Sequence, residues 1–180
     1  MRAFLKAVAG FIDNLNERVG KGASWMTTVL VVLVCFDVII RYIFSDTQAW
    51  IMELEWHLFA LVFLLGAGYA FKHDRHVRVD LFYAKFSERD KALINFVGGI
   101  IFLVPWCILV IYASSKYAYG AFLLREGSPD PGGLPARYII KFMIPIGIFL
   151  LLLQAISSLI KSGLTLADQK KLSTGEGTDD

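Results

Sequence analysis

Hydrophobic residues fall into four long runs along the chain, at about 24–44, 51–71, 88–119 and 136–160. Each is at least about as long as the roughly 20 residues needed to cross the hydrocarbon core of a bilayer. Short polar stretches separate them, too small to fold alone. The pattern predicts an all-α membrane protein with four transmembrane helices, all in one membrane domain over 1–180. Residues 1–20 have a different rhythm. Phe4, Val8, Phe11, Leu15 and Val19 recur at helical spacing among Arg2, Lys6, Asp13, Asn14, Glu17 and Arg18. That is an amphipathic helix, too polar to span, which lies in the membrane interface or on a partner helix. Gly20-Lys21-Gly22 is expected to break it from the first span. Residues 162–180 are polar and read as a loose tail.

Local signals refine the helices. Four residues, 45–48, join the first two spans, so these must be antiparallel neighbours. Gly66-Ala67-Gly68 in the second span and Gly98-Gly99 in the third invite close backbone approach. Ser87 followed by Asp90 marks a helix start near Glu88. Pro105 and Pro145 lie inside the third and fourth runs and predict kinks or freed carbonyls. Between them, GAFLLREGSPDPGGLP at 120–135 has three prolines and four glycines, a structured turn rather than a helix. Tyr112, Tyr117 and Tyr119 mark a membrane interface beside it.

Charge adds direction. Thirteen of the 18 Lys and Arg residues lie before span one, between spans two and three, or after span four. The positive-inside rule then puts both termini in the cytoplasm and the 120–135 loop outside. Arg2 and Lys6 followed by so long an apolar run read as a retained anchor rather than a cleaved leader. The second loop is the most basic stretch. Lys72, Arg75, Arg78 and Lys85, interleaved with Leu81, Phe82, Tyr83 and Phe86, read as a short helix on anionic lipid headgroups. Composition agrees, at 56% hydrophobic, and a formal charge of +2 gives no support for nucleic acid as a partner. Cys35 and Cys107 sit in apolar runs as small hydrophobes.

Candidate chemistry is sparse. Asp37 and Arg41 are four apart, on one helical face, and neutralise one another. Glu53 and His57 share a face near the outer end of span two, with Glu55 pointing elsewhere. No nucleophile motif, phosphate loop or H-E-x-x-H accompanies them, so no enzyme activity is expected. His73 and His76 sit among arginines and aspartates without a cysteine, the pattern of a solvated loop rather than a metal site. No cofactor is expected. One alternative is a stand-alone small proton-coupled exporter using Glu53. A remote one is a membrane b-type cytochrome, for which only His57 lies in a span. The spans show no internal repeat of the kind common in self-sufficient transporters. The residues point instead to a helper subunit whose polar groups and glycines await a larger partner.

Several short motifs occur in a telling order: R-Y-x-F at 41–44, Trp50, Glu53-Leu54, F-L-L-G-A at 63–67 and H-V-R-V-D at 76–80. Together they resemble the small membrane (Q, DctQ-type) subunit of the tripartite ATP-independent periplasmic (TRAP) transporters. The 53–57 segment and D-P-G-G-L-P at 130–135 are similar to the mannitol/chloroaromatic or organic-acid branch. Met52 stands where many relatives have a second Glu. The resemblance implies a scaffold in the bacterial inner membrane. Its partners would be a large polytopic subunit carrying the substrate and sodium sites, and a periplasmic substrate-binding protein delivering small organic acids. It makes Asp37, Arg41, Trp50, Glu53, His57, Gly66 and Gly68 candidates for packing on the large subunit. Arg125, Glu126 and Asp130 are candidates for docking the binding protein.

Overall fold

The computed structural model describes residues 1–73 and 86–173, and within them all regular structure is helical. Helix α1 is Arg2–Ile43 and α2 is Ala49–Lys72. Helix α3, Glu88–Gly98, passes through a π-helical turn, Gly99–Leu103, into α4, Val104–Leu123. Helix α5 is Tyr138–Ser173. Four helical segments are long and apolar enough to cross a membrane: α1, α2, the continuous α3–α4 unit and α5. At 42 residues α1 is roughly 63 Å long, about twice the thickness of the hydrocarbon core. Its polar first half must therefore project beyond the membrane.

Two local expectations need correction. The helix does not break at Gly20-Lys21-Gly22; α1 runs straight through. Gly20 is buried on the ring of Tyr69, which would overlap any Cβ placed there. The glycine serves close approach between α1 and α2, and that packing offsets its helix penalty of about 1 kcal/mol. Nor does the chain become a loose tail at 162. Helix α5 continues to Ser173 because that stretch has partners. Ser162 is buried, and Asp168 forms an ion pair with Arg2 at 2.5 Å.

Other local signals act as their chemistry dictates. The Ser87 hydroxyl accepts the Asp90 N–H at 3.2 Å and donates to the Asp90 carboxylate at 2.7 Å, which caps α3. Ahead of Pro105, the Val104 N–H reaches the Gly99 carbonyl five residues back. The wider π turn gives the proline ring room where an α-helical carbonyl would clash.

Helix α5 is the hub, packing on α1, α2, α3 and α4. Buried residues concentrate along it: Ile140, Ile148, Leu150, Leu151, Gln154 and Ala155. Cys107 of α4 joins Ile148 and Leu151 in the core, ringed by Phe71, Leu103 and Val110, and Cys35 is exposed. Glycines set how near the helices come. A Cβ on Gly147 would lie 2.7 Å from the Leu64 carbonyl oxygen, so α5 and α2 meet backbone to backbone. At Gly68 the space is taken by Asn16, 1% exposed, whose amide reaches from α1 towards the Leu150 carbonyl of α5. Gly66, in contrast, faces open space. Of the two glycines of the second span expected to be close-packed, only Gly68 is used inside the chain.

This contrast gives a paired test. Gly68→Val must displace Asn16, and overpacking of this kind costs roughly 1–3 kcal/mol. Thermal unfolding in mild detergent is expected to show a clearly lower midpoint for Gly68→Val. Gly66→Val, with the same change in helix propensity, should leave the midpoint nearly unchanged.

Candidate functional site

At the end of α2 that meets the 124–137 segment, the fold turns on Glu53. This carboxylate is 4% exposed. One oxygen accepts the Ser128 hydroxyl, and the other accepts the Leu134 N–H at 2.6 Å. The segment needs such an anchor because its backbone closes few bonds and leaves donors such as the Leu134 N–H without an acceptor of its own. Ser128 N–H bonds the Leu134 carbonyl, and Gly133 N–H bonds the Asp130 carbonyl, both at 3.0 Å. Arg125 ends α4 in the left-handed region at φ 45°, with the Glu126 N–H returning to the Ala121 carbonyl. Gly132, at φ 77°, supplies the second reversal. Gly133 leaves no room for a side chain between Ser128 and Glu53. His57 completes the corner from the helix side, its Nδ1 on the Glu53 carbonyl and its ring 3.9 Å from that of Trp56.

At the opposite end a second polar cluster holds the projecting half of α1. Asp13 accepts Gln154 Nε2 at 2.9 Å, the Ser157 hydroxyl at 2.8 Å, and the Lys161 ammonium. Lys72 donates to the Asp13 carbonyl at 3.1 Å and to Glu17 at 2.7 Å, where His73 also arrives at 2.9 Å. Burial works against the Asp13 carboxylate, but the bonds from Lys161, Gln154 and Ser157 outweigh it and its pKa is lowered. Hydrogen bonds from Lys72 and then His73 bring Glu17 down to about 2. Residues 1–20 thus lie on the chain's own α2 and α5 along one face, while Phe4 and Phe11 stay exposed on the other. Lys72, expected at lipid headgroups, is turned inward. Arg75, Arg78 and Lys85 lie outside the described residues.

A third group sits on the α1–α2 face, towards the 45–48 connection. Asp37 is buried and paired with Arg41, whose side chain is 46% exposed. Glu55 lies near both and has a buried carboxyl oxygen with no hydrogen-bond partner. Around it Met52, Phe59 and Phe63 are exposed, and the open Gly66 lies one turn beyond Phe63.

The candidate residues therefore separate into distinct places. Glu53 is consumed inside the chain. A carboxylate with both oxygens held by its own loop is a structural anchor, ill-suited to carry protons for an exporter. His57 is likewise engaged, and Gly68 is filled by Asn16. Asp37, Arg41 and Gly66 lie on the α1–α2 face, and Trp50 is partly exposed at the start of α2. In the loop, Arg125 and Asp130 are exposed, while Glu126 accepts Lys141 at 2.5 Å. Sequence reasoning overlooked Glu55 on that face and the Asp13 cluster. The second was legible: Gln154, Ser157 and Lys161 stand three and four apart, a polar stripe on the last apolar helix that demands a partner.

Residues 30–163 match the family model described as "Tripartite ATP-independent periplasmic transporters, DctQ component". Among curated proteins, the chain is 22% identical over 142 residues to the C4-dicarboxylate TRAP transporter small permease protein DctQ of Vibrio cholerae, covering 79% of this chain and 59% of that protein. It is 29% identical over 110 residues to a putative TRAP transporter small permease protein of Haemophilus influenzae, covering 61% of this chain and 66% of that one. The chain thus spans 59% of the length of the first relative and about two thirds, 66%, of the second.

The Glu53 anchor makes a sharp prediction. Glu53→Ala leaves the Leu134 N–H without its acceptor, at a cost of about 1–3 kcal/mol. Limited proteolysis within 124–137 should become several-fold faster in Glu53→Ala, and less so in Ser128→Ala. Equal cleavage rates in all three proteins would show that the loop holds itself.

Proposed function

The chain belongs to the DctQ component family of the tripartite ATP-independent periplasmic transporters, and on that premise we propose that it is the static small subunit of such a transporter. The observation that carries the reading is the contrast between its two polar surfaces. The Asp13 and Glu53 carboxylates have both oxygens engaged within the chain and lock its own helices together, although the side-chain oxygens of Gln154 and Asn16 between those helices find no partner. The Asp37–Arg41–Glu55 group is left incomplete on an apolar face. In hydrocarbon an unmet carboxyl oxygen is costly, so that face is built to receive another protein. The proposed occupant is the large transport subunit, packing over α1 and α2 around Arg41, Glu55, Phe63 and Gly66, where the open glycine allows close approach.

The Lys and Arg asymmetry supports a chain with both termini in the cytoplasm of a cell with an inner membrane. The 124–137 loop then faces outward, held rigid by Glu53, with Arg125 and Asp130 available to a periplasmic binding protein. Uptake is driven by sodium and the cargo is a small organic acid, in keeping with the dicarboxylate named for the Vibrio relative.

Two experiments follow. In the complex purified from native membranes, Arg41→Ala and Glu55→Ala should each lower recovery of the large subunit by about tenfold or more, since truncating a desolvated charge contact costs roughly 2–5 kcal/mol. Unchanged recovery and uptake in both would move the interface elsewhere. Replacing Arg125 and Asp130 by serine should reduce sodium-driven organic-acid uptake with assembly intact. Normal uptake would remove the loop from docking.

A further inference from the structure

A cleft of about 340 Å³ opens between α2, α4 and α5 just beneath the 124–137 loop. Helices α2 and α4 are bridged there by α5, so the cleft gives onto the membrane. Its two ends differ in chemistry. The rim carries Arg137, Lys141 and Glu126 with the rings of Trp56 and Tyr117. Arg137 lies 5.3 Å from the centre of the Trp56 ring, and the Lys141 ammonium 4.3 Å from that of Tyr117. Lys141 also meets Glu126 at 2.5 Å. The deeper wall is purely apolar: Ala60 and Leu64 from α2, Ile140 and Ile144 from α5.

The order along the helices matters. On α2, Trp56, Ala60 and Leu64 descend one face at four-residue steps. On the other side Arg137, just ahead of α5, is followed within α5 by Lys141 and Ile144 at steps of four and three. Polarity therefore falls from charged to apolar over roughly 10–12 Å, as it does down a membrane leaflet. The cleft ends where Gly147 brings α5 onto the backbone of Leu64. A small soluble ligand has no use for such a gradient; an upright amphiphile matches it at every level.

We infer that this cleft is a specific phospholipid site, and that its occupant carries a zwitterionic phosphoethanolamine headgroup. The phosphate is held by Arg137 and Lys141, whose guanidinium and ammonium donate charge-assisted bonds. The rim bears both signs, so Glu126 receives the headgroup ammonium. The aromatic rings flank the glycerol level, where Trp and Tyr belong. One acyl chain enters along Ala60, Leu64, Ile140 and Ile144. Lipid here braces the loop anchored on Glu53, because Arg137 and Glu126 stand at the two ends of that loop and the Arg137 N–H bonds the Glu126 carbonyl at 3.0 Å. This inference is independent of the proposed large-subunit interface, which lies on the α1–α2 face.

The test is native mass spectrometry of the full chain, extracted in mild detergent with any partner it retains, together with lipid analysis of the same sample. The wild type should keep one phospholipid, predominantly phosphatidylethanolamine, through delipidating washes. Arg137→Gln removes a headgroup contact and Ala60→Phe fills the apolar wall without touching a charge. Each should lower retention about tenfold, the effect of losing one charge-assisted contact. Arg125→Gln, an exposed loop cation outside the cleft, should retain lipid as the wild type does. Photo-crosslinking of the wild type with a photoactivatable phosphatidylethanolamine keeps the test independent of variant folding, and should label 56–64 and 137–144. No retained phospholipid in the wild type, retention unchanged in both variants, or labels spread evenly over the exposed apolar faces would overturn the assignment.

Discussion

Asp13 is where three helices meet, and the rest of the structure depends on that meeting. Its carboxylate gathers Gln154, Ser157 and Lys161 from α5, and its carbonyl receives Lys72 from α2. In a membrane chain, apolar contact between helices offers little that lipid does not, so polar bonds and close packing carry specificity. The same principle explains Asn16, which threads between Gly68 and the Leu150 carbonyl. These contacts hold the long α1 upright along the bundle. They also make α5 the spine on which every other helix rests.

At the far end, Glu53 does for the loop what Asp13 does for the helices. A proline- and glycine-rich turn closes few bonds of its own, so a buried carboxylate from a neighbouring helix accepts the Ser128 hydroxyl and the Leu134 N–H. The result is a bundle whose Asp13 and Glu53 carboxylates are held at its two ends, while Glu55 keeps an unmet oxygen on one flank. That asymmetry suits a scaffold: rigid where it must hold shape, unsatisfied where it must be covered.

Much of this was legible in the sequence. The four apolar runs, the Ser87 cap and the disturbance at Pro105 follow from periodicity and local chemistry, and all appear. The errors share one physical origin, the long-range contact. Gly20 looked like a break because nothing in the local sequence says that Tyr69 will lie on it. Residues beyond 162 looked loose because Arg2 is far away along the chain. Glu53 looked like an interface residue because its partners, Ser128 and Leu134, are supplied by a loop some 75 residues later. Lys72 looked like a lipid contact because Asp13 and Glu17 are invisible from its neighbourhood. A charged residue in a membrane chain announces that it has a partner, but not whether that partner is lipid, another subunit or the same chain.

The most direct measurement is the composition of the assembly that this chain forms in its native membrane. The tagged chain would be extracted in native nanodiscs and the intact particle weighed, with each component identified. The account requires one large polytopic membrane protein in equal amount, and no uptake by this chain reconstituted alone. A particle containing only copies of this chain, transporting by itself, would contradict the scaffold reading at its root.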